Sequence, residues 1–146
     1  MDEASADTPR WVQRFRNFDG ALVLLREGVG MLDDPSLPVM AKEGLIQRFA
    51  FTFELAWKTL ADFLDFRKVT LERRGPGDVL RMAFATGYLG DGPIWMDALD
   101  ARNELSHTDR RQAFERVLAD IPVRFIGLFE DLHEMLMIER AALDGR

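Results

Sequence analysis

The spacing of large apolar residues near the start of the chain leaves little choice of fold. From Trp11 they recur at Phe15, Phe18, Leu22, Leu25, Val29 and Leu32, in steps that alternate four and three. That is the period of one face of an α-helix; a half-buried strand would alternate at every second residue. Such a stripe is stable only when other helices cover it. Thr8 and Pro9 precede it as an N-cap and first-turn pair, and "DDPSLP" breaks the chain after it.

The same period continues to the end. A second run, from about Val39 to Phe66, turns Leu45, Phe49, Phe53, Ala56, Trp57, Leu60 and Leu64 inward. Its segment "FAFTFELAW" is apolar on more than one side, which implies a second buried surface supplied by a partner chain. "FRKVTLERRGPGD" closes that helix. Between Arg67 and Arg81 five basic residues face two acidic ones, and the stretch reads as a solvated turn, with RNA or partner contact as the alternative. A short helix through Val79, Leu80, Ala83 and Phe84 stops at Gly87. "GDGP" opens another, about Pro93 to Ser106. The last helical region begins near Arg110, with Asp109 as N-cap and Gln112 completing a capping box. It passes Pro122, where a kink is expected, and ends near Leu143. No segment alternates with period two. The expectation is an all-α, antiparallel up-and-down bundle of four to five helices, one domain over residues 9–143 behind a flexible tail at 1–8.

Composition narrows the setting. The absence of cysteine removes disulfides and thiolate nucleophiles and suits a reducing cytosol. The opening "MDEASADT" lacks the apolar run of a signal peptide, and no segment approaches the roughly 18 apolar residues of a membrane span. A cytoplasmic protein with no membrane contact is expected. The net charge of −6 argues against binding a nucleic-acid backbone over the whole surface and leaves room only for a local basic face.

One stretch, "DARNELSHTD" at 100–109, gathers an arginine, an asparagine and one of two histidines. On a helix, Trp95, Ala98, Leu99, Arg102 and Leu105 share the inward arc, so Arg102 needs a partner, either a carboxylate or a ligand phosphate. Asp100, Asn103 and His107 form a polar stripe beside it. Three readings follow. His107 can be a helix-end residue meeting the last free carbonyls. The pairs Glu104/His107 and Glu130/His133 match the Glu-x-x-His spacing of di-iron bundles. Their phase puts them on flanks rather than inside, so no metal site is expected, and His133 reads as a surface residue. The third reading is RNA cleavage without metal, in which a base removes the 2′-hydroxyl proton and a cation stabilises the phosphorane. Histidine suits the proton transfer and arginine the phosphate. Arg102 and His107 are five steps apart, about 140° around an ideal helix. They meet only if the helix ends near Ser106, or if a two-fold dimer brings two copies of each to one cleft.

"RWVQRFRNFDGALVLL", "KEGLIQRFAFTFELAWKTL" and "VLRMAFATGYLGDGPIWMDALDARNELSHT" resemble the nucleotidyltransferase substrate-binding proteins of the HEPN superfamily, from about Arg10 to Leu136. The resemblance implies a helical bundle that forms a homodimer and pairs with a separately encoded minimal nucleotidyltransferase, as a heterotetramer. It implies a toxin-antitoxin module in which an Arg-x4-His motif is a ribonuclease site. Arg102 would be the motif arginine, Asn103 the polar residue after it, and His107 the motif histidine. Asp100, Asp109, Arg110 and Arg111 flank them as candidate substrate-binding residues. No cofactor is implied. Toxins silenced by adenylylation carry tyrosine two positions after the histidine; Asp109 stands there, and the single tyrosine is Tyr88. The alternative within the family is a non-catalytic subunit that presents substrate to the transferase.

Overall fold

The computed structural model describes residues 8–107 and 111–145. Among them every regular element is helical: α1 (Arg10–Gly30), α2 (Val39–Phe66), α3 (Pro76–Ala85), α4 (Gly92–Glu104), α5 (Arg111–Asp120) and α6 (Ile126–Asp144), with a π-helical turn at Ile121–Phe125 joining the last two. The helical bundle expected from periodicity is the one observed. Residues 1–7 of the tail expected at 1–8, and the Asp109 N-cap, lie outside the described residues.

The directions follow from contacts. Trp11 at the start of α1 packs on Phe63 and Phe66 at the end of α2. Gly28 near the end of α1 faces Leu45 near the start of α2 so closely that a methyl there would come within 2.7 Å of Leu45 Cδ1. α1 and α2 are therefore antiparallel. α4 returns along α2, and the α5–α6 rod runs parallel to α2: Phe125 stacks on Phe49 at 5.4 Å, and Arg67 pairs with Glu139 at 3.8 Å. Four columns thus run up, down, up and down, with α3 as the corner between the second and third.

The stripe read from α1 is the core stripe. Trp11, Phe15, Phe18, Leu22 and Leu25 are buried, with Val29 and Leu32 partly so. From α2 Leu45, Phe49, Phe53, Ala56, Leu60 and Leu64 join them; Trp57, expected inward, is only half-buried. Trp95 and Phe129 meet edge-to-face at 5.6 Å beneath Phe53. Truncating one of these rings would cost about 3–5 kcal/mol, because neighbouring helices cannot close the void. Two hydroxyls enter the core without penalty: Thr52 and Thr59 each donate to the carbonyl four residues back, at 2.6 Å.

Turns and breaks have local causes. Asp34 accepts from the Ser36 hydroxyl and backbone N–H, which hold its carboxyl below the ordinary carboxylate range and fold the "DDPSLP" corner. Gly87 takes φ +84°, left-handed backbone that glycine adopts freely, and ends α3. Helix α1 begins at Arg10, with Pro9 in extended backbone before it. Thr8 therefore stands one residue outside the cap expected of it, and its carbonyl receives the Gln13 amide at 3.1 Å. Pro122 lacks an N–H and would clash inside an α-helix. The rod widens there instead, and the Ile126 N–H reaches five residues back to the Ile121 carbonyl. Arg124 in that turn bonds Asp97 of α4 and lies 3.5 Å from Asp120, contacts that raise its proton affinity.

Candidate functional site

The first half of α2, the end of α4 and the beginning of α5 do not close on one another. They bound a groove of about 1410 Å³. Ile46, Ala50, Phe114 and Leu118 give it apolar walls; Lys42, Arg102 and Arg111 bring positive charge, with Glu43 and Glu115 opposing them.

Arg102 reaches this groove from α4 because its helix turns Trp95, Ala98 and Leu99 into the core, leaving position 102 at the seam with α2. The partner it needed is a carboxylate. Glu54 Oε2 of α2 pairs with Nη2, Nη1 donates to Asn103 Oδ1 at 3.2 Å, and the guanidinium lies 5.9 Å from the Phe53 ring centre. Arg102 and Glu54 are each 29% exposed. Asn103 is exposed and lines the groove beside Arg102.

Helix α4 ends at Glu104. Ser106 donates its backbone N–H and its hydroxyl to the Asn103 carbonyl, at 3.2 and 2.7 Å, and the His107 N–H donates to the Glu104 carbonyl at 3.0 Å. The ideal-helix angle of about 140° therefore does not apply to His107, which stands exposed in the turn after the helix. Within one chain, however, His107 is not part of the described groove lining. Arg111 lines the groove at the start of α5, whereas Asp100 is exposed on α4 away from the lining. Asp109 and Arg110 lie outside the described residues.

The side chains of the two Glu-x-x-His pairs are engaged elsewhere. Glu104 pairs with Arg116 at 2.9 Å, Glu130 with Arg26 at 3.0 Å, and His133 with Asp19 at 2.6 Å. His133 differs from the surface residue expected: it packs beside Phe15 and Phe18, with ring centres 5.1 and 6.2 Å away, because α6 turns this position toward α1. The basic 67–81 segment is also largely neutralised. Arg74 grips both oxygens of Asp65 at 3.0 and 2.8 Å, Arg81 pairs with Asp78, and Arg67 donates to the Tyr88 hydroxyl at 3.0 Å. Tyr88 is thereby tied to the far end of α2.

Sequence reasoning did not single out Glu54. The signal was available, since it is the lone charged residue in "FAFTFELAW". On the same helix Met40 and Phe51 are exposed apolar side chains, Phe51 to 59%.

Among the described residues, no helix is long and apolar enough to cross a membrane. A relative from Haemophilus influenzae, named as a probable ribonuclease HepT, is 33% identical over 81 residues, 53% of this chain. That match covers 56% of the relative, little more than half its length. Residues 13–138 match the family described as nucleotidyltransferase substrate binding protein like. With most of its length and its helical bundle accounted for in this way, the chain belongs to that family.

Proposed function

We propose that the chain is the HEPN-type subunit of a toxin-antitoxin pair with a minimal nucleotidyltransferase, and that its homodimer cleaves RNA without a metal ion. The observation that carries the reading is the end of α4: Arg102 and Asn103 open on a wide groove, and the helix stops at Glu104, leaving His107 exposed to solvent. One chain offers a single histidine there. A two-fold dimer through the exposed Met40 and Phe51 would bring two copies of Arg102 and His107 to a shared cleft. The relative named as a ribonuclease agrees with this reading.

In that cleft one His107 takes the 2′-hydroxyl proton as the 2′-oxygen attacks phosphorus. Arg102 balances the charge that builds on the phosphorane oxygens. The bond to the 5′-oxygen breaks, and the second His107 protonates that leaving oxygen. The products are a 2′,3′-cyclic phosphate and a 5′-hydroxyl. Asn103 orients the phosphate, and Arg111, with Arg110, draws the polyanion in. With Asp109 in the tyrosine position, silencing proceeds by a route other than tyrosine adenylylation. The partner transferase assembles with the dimer as a heterotetramer in the cytoplasm.

A second reading has its own observation. Arg102 is already paired with Glu54, and the chain's own His107 stands outside the groove lining. Under this alternative the subunit only holds a substrate for the transferase. Incubating purified protein with RNA in EDTA separates the two. Cleavage that vanishes in Arg102→Ala and His107→Ala, with sedimentation showing a dimer that Phe51→Glu dissociates, is the expected result. Wild-type protein that leaves RNA intact, alone and with its transferase, would sink the ribonuclease reading.

A further inference from the structure

Glu54 sits where a carboxylate is costly: half-buried, on the most apolar stretch of α2, beside Phe53 and Trp57. One hydrogen bond and two ion pairs, from two helices, hold it there. Trp57 Nε1 donates to Oε1 at 3.3 Å, Lys58 Nζ lies 3.8 Å from the same oxygen, and Arg102 takes Oε2. Arg102 then carries the contact onward, from Glu54 through its guanidinium to Asn103 Oδ1. The two ends of this chain differ in exposure to the groove. Arg102 and Asn103 form part of its wall, whereas Glu54, Phe53 and Trp57 do not. The carboxylate thus lies outside the groove lining, while the guanidinium it holds lies within it.

From this arrangement we infer that Glu54 is a positioning residue: it fixes the Arg102 guanidinium, and through it Asn103, at the groove wall. The inference rests on the groove being the functional site. A guanidinium has five N–H donors in a fixed plane. With one edge anchored on Glu54 and Asn103, the remaining donors point in a defined direction. Without the anchoring charge, four side-chain torsions are free to sweep the guanidinium across the rim. Lys58 and Trp57 keep the anchor itself from moving.

Two measurements test the inference. In protein labelled with ¹⁵N-arginine, the Arg102 guanidinium signal is identified by its loss in Arg102→Lys. Hindered rotation of that group is expected in wild type and free rotation in Glu54→Gln, a substitution that keeps size and removes charge. Free rotation already in wild type, or hindered rotation surviving in Glu54→Gln, overturns the inference whether or not the protein cuts RNA. With an RNA oligomer as substrate, Glu54→Gln is expected to lower kcat by about 100-fold, the scale of a misplaced catalytic group, and to change KM little. The double variant Glu54→Gln/Arg102→Ala should be no worse than Arg102→Ala alone. Additive losses, or wild-type cleavage by Glu54→Gln while Arg102→Ala is dead, would show that Glu54 does not act through Arg102. RNA left intact by wild type would strike the ribonuclease reading and leave the rotation measurement to decide the role of Glu54.

Discussion

Two carboxylates of α2, Glu54 and Asp62, each hold an arginine from another helix, and their surroundings differ. Asp62 accepts from Arg14 Nε of α1 at 2.7 Å, with Arg10 at 3.9 Å. Its side chain is 8% exposed, buried in the seam between two antiparallel helices, while that of Arg14 keeps 29% exposure. Glu54 holds Arg102 of α4 at the edge of a groove of about 1410 Å³, where both partners retain contact with water. The same ion-pair chemistry serves a different purpose in each place. At the seam the buried carboxylate depends on Arg14 to balance its charge, so the pair ties α1 to α2. At the groove one side of the guanidinium remains open to an anion.

The difference predicts opposite signatures for two arginine substitutions. Arg102→Ala should reduce RNA cleavage by about 100-fold or more while the melting temperature falls by only a few degrees, read by rate and calorimetry on the same sample. A large loss of stability with cleavage intact would erase the distinction. Arg14→Ala should do the reverse. It leaves Asp62 buried with only a distant Arg10, costing on the order of 3 kcal/mol, or roughly 10 °C in melting temperature, while cleavage per folded molecule is unchanged. Thermal and urea unfolding check this, and wild-type stability would mean that the seam pair locks nothing.

A smaller effect sharpens the contrast. Replacing Asp62 and Arg14 together by leucine should leave stability within about 1 kcal/mol of wild type, since well-packed apolar residues often substitute for a buried ion pair. The corresponding double replacement of Glu54 and Arg102 should abolish cleavage however stable it proves. A seam double variant as unstable as Arg14→Ala would reveal a need for the charges themselves. The smallest effect belongs to the exposed Glu104–Arg116 pair. Arg116→Ala should cost less than about 1 kcal/mol and leave the rate alone; a larger loss would place that pair with the other two.

Much of this architecture was legible beforehand, for reasons visible residue by residue. The four-three spacing from Trp11 to Leu25 names the buried face of α1 because helix geometry converts spacing into direction. The bounds of α2 at Val39 and Phe66 follow from Pro38 before it and the charged turn after it. Reading inward phase on α4 also showed that Arg102 required a partner. Less was legible where a side chain's fate depends on a helix distant in sequence. His133 looked like a surface residue between two acids, but α1 brings Phe15, Phe18 and Asp19 against it. Glu54 and Arg102 are 48 positions apart, and no local rule pairs them.

The sequence by itself determined which residues are helical, where the chain turns and which faces seek burial, because these depend on neighbours within a few residues. Only the tertiary structure decided which carboxylate answers Arg102, that α2, α4 and α5 leave a groove between them, and that Asp62 is sealed while Glu54 is not. Those outcomes depend on how whole helices pack, and packing sums contacts between residues that the chain keeps far apart.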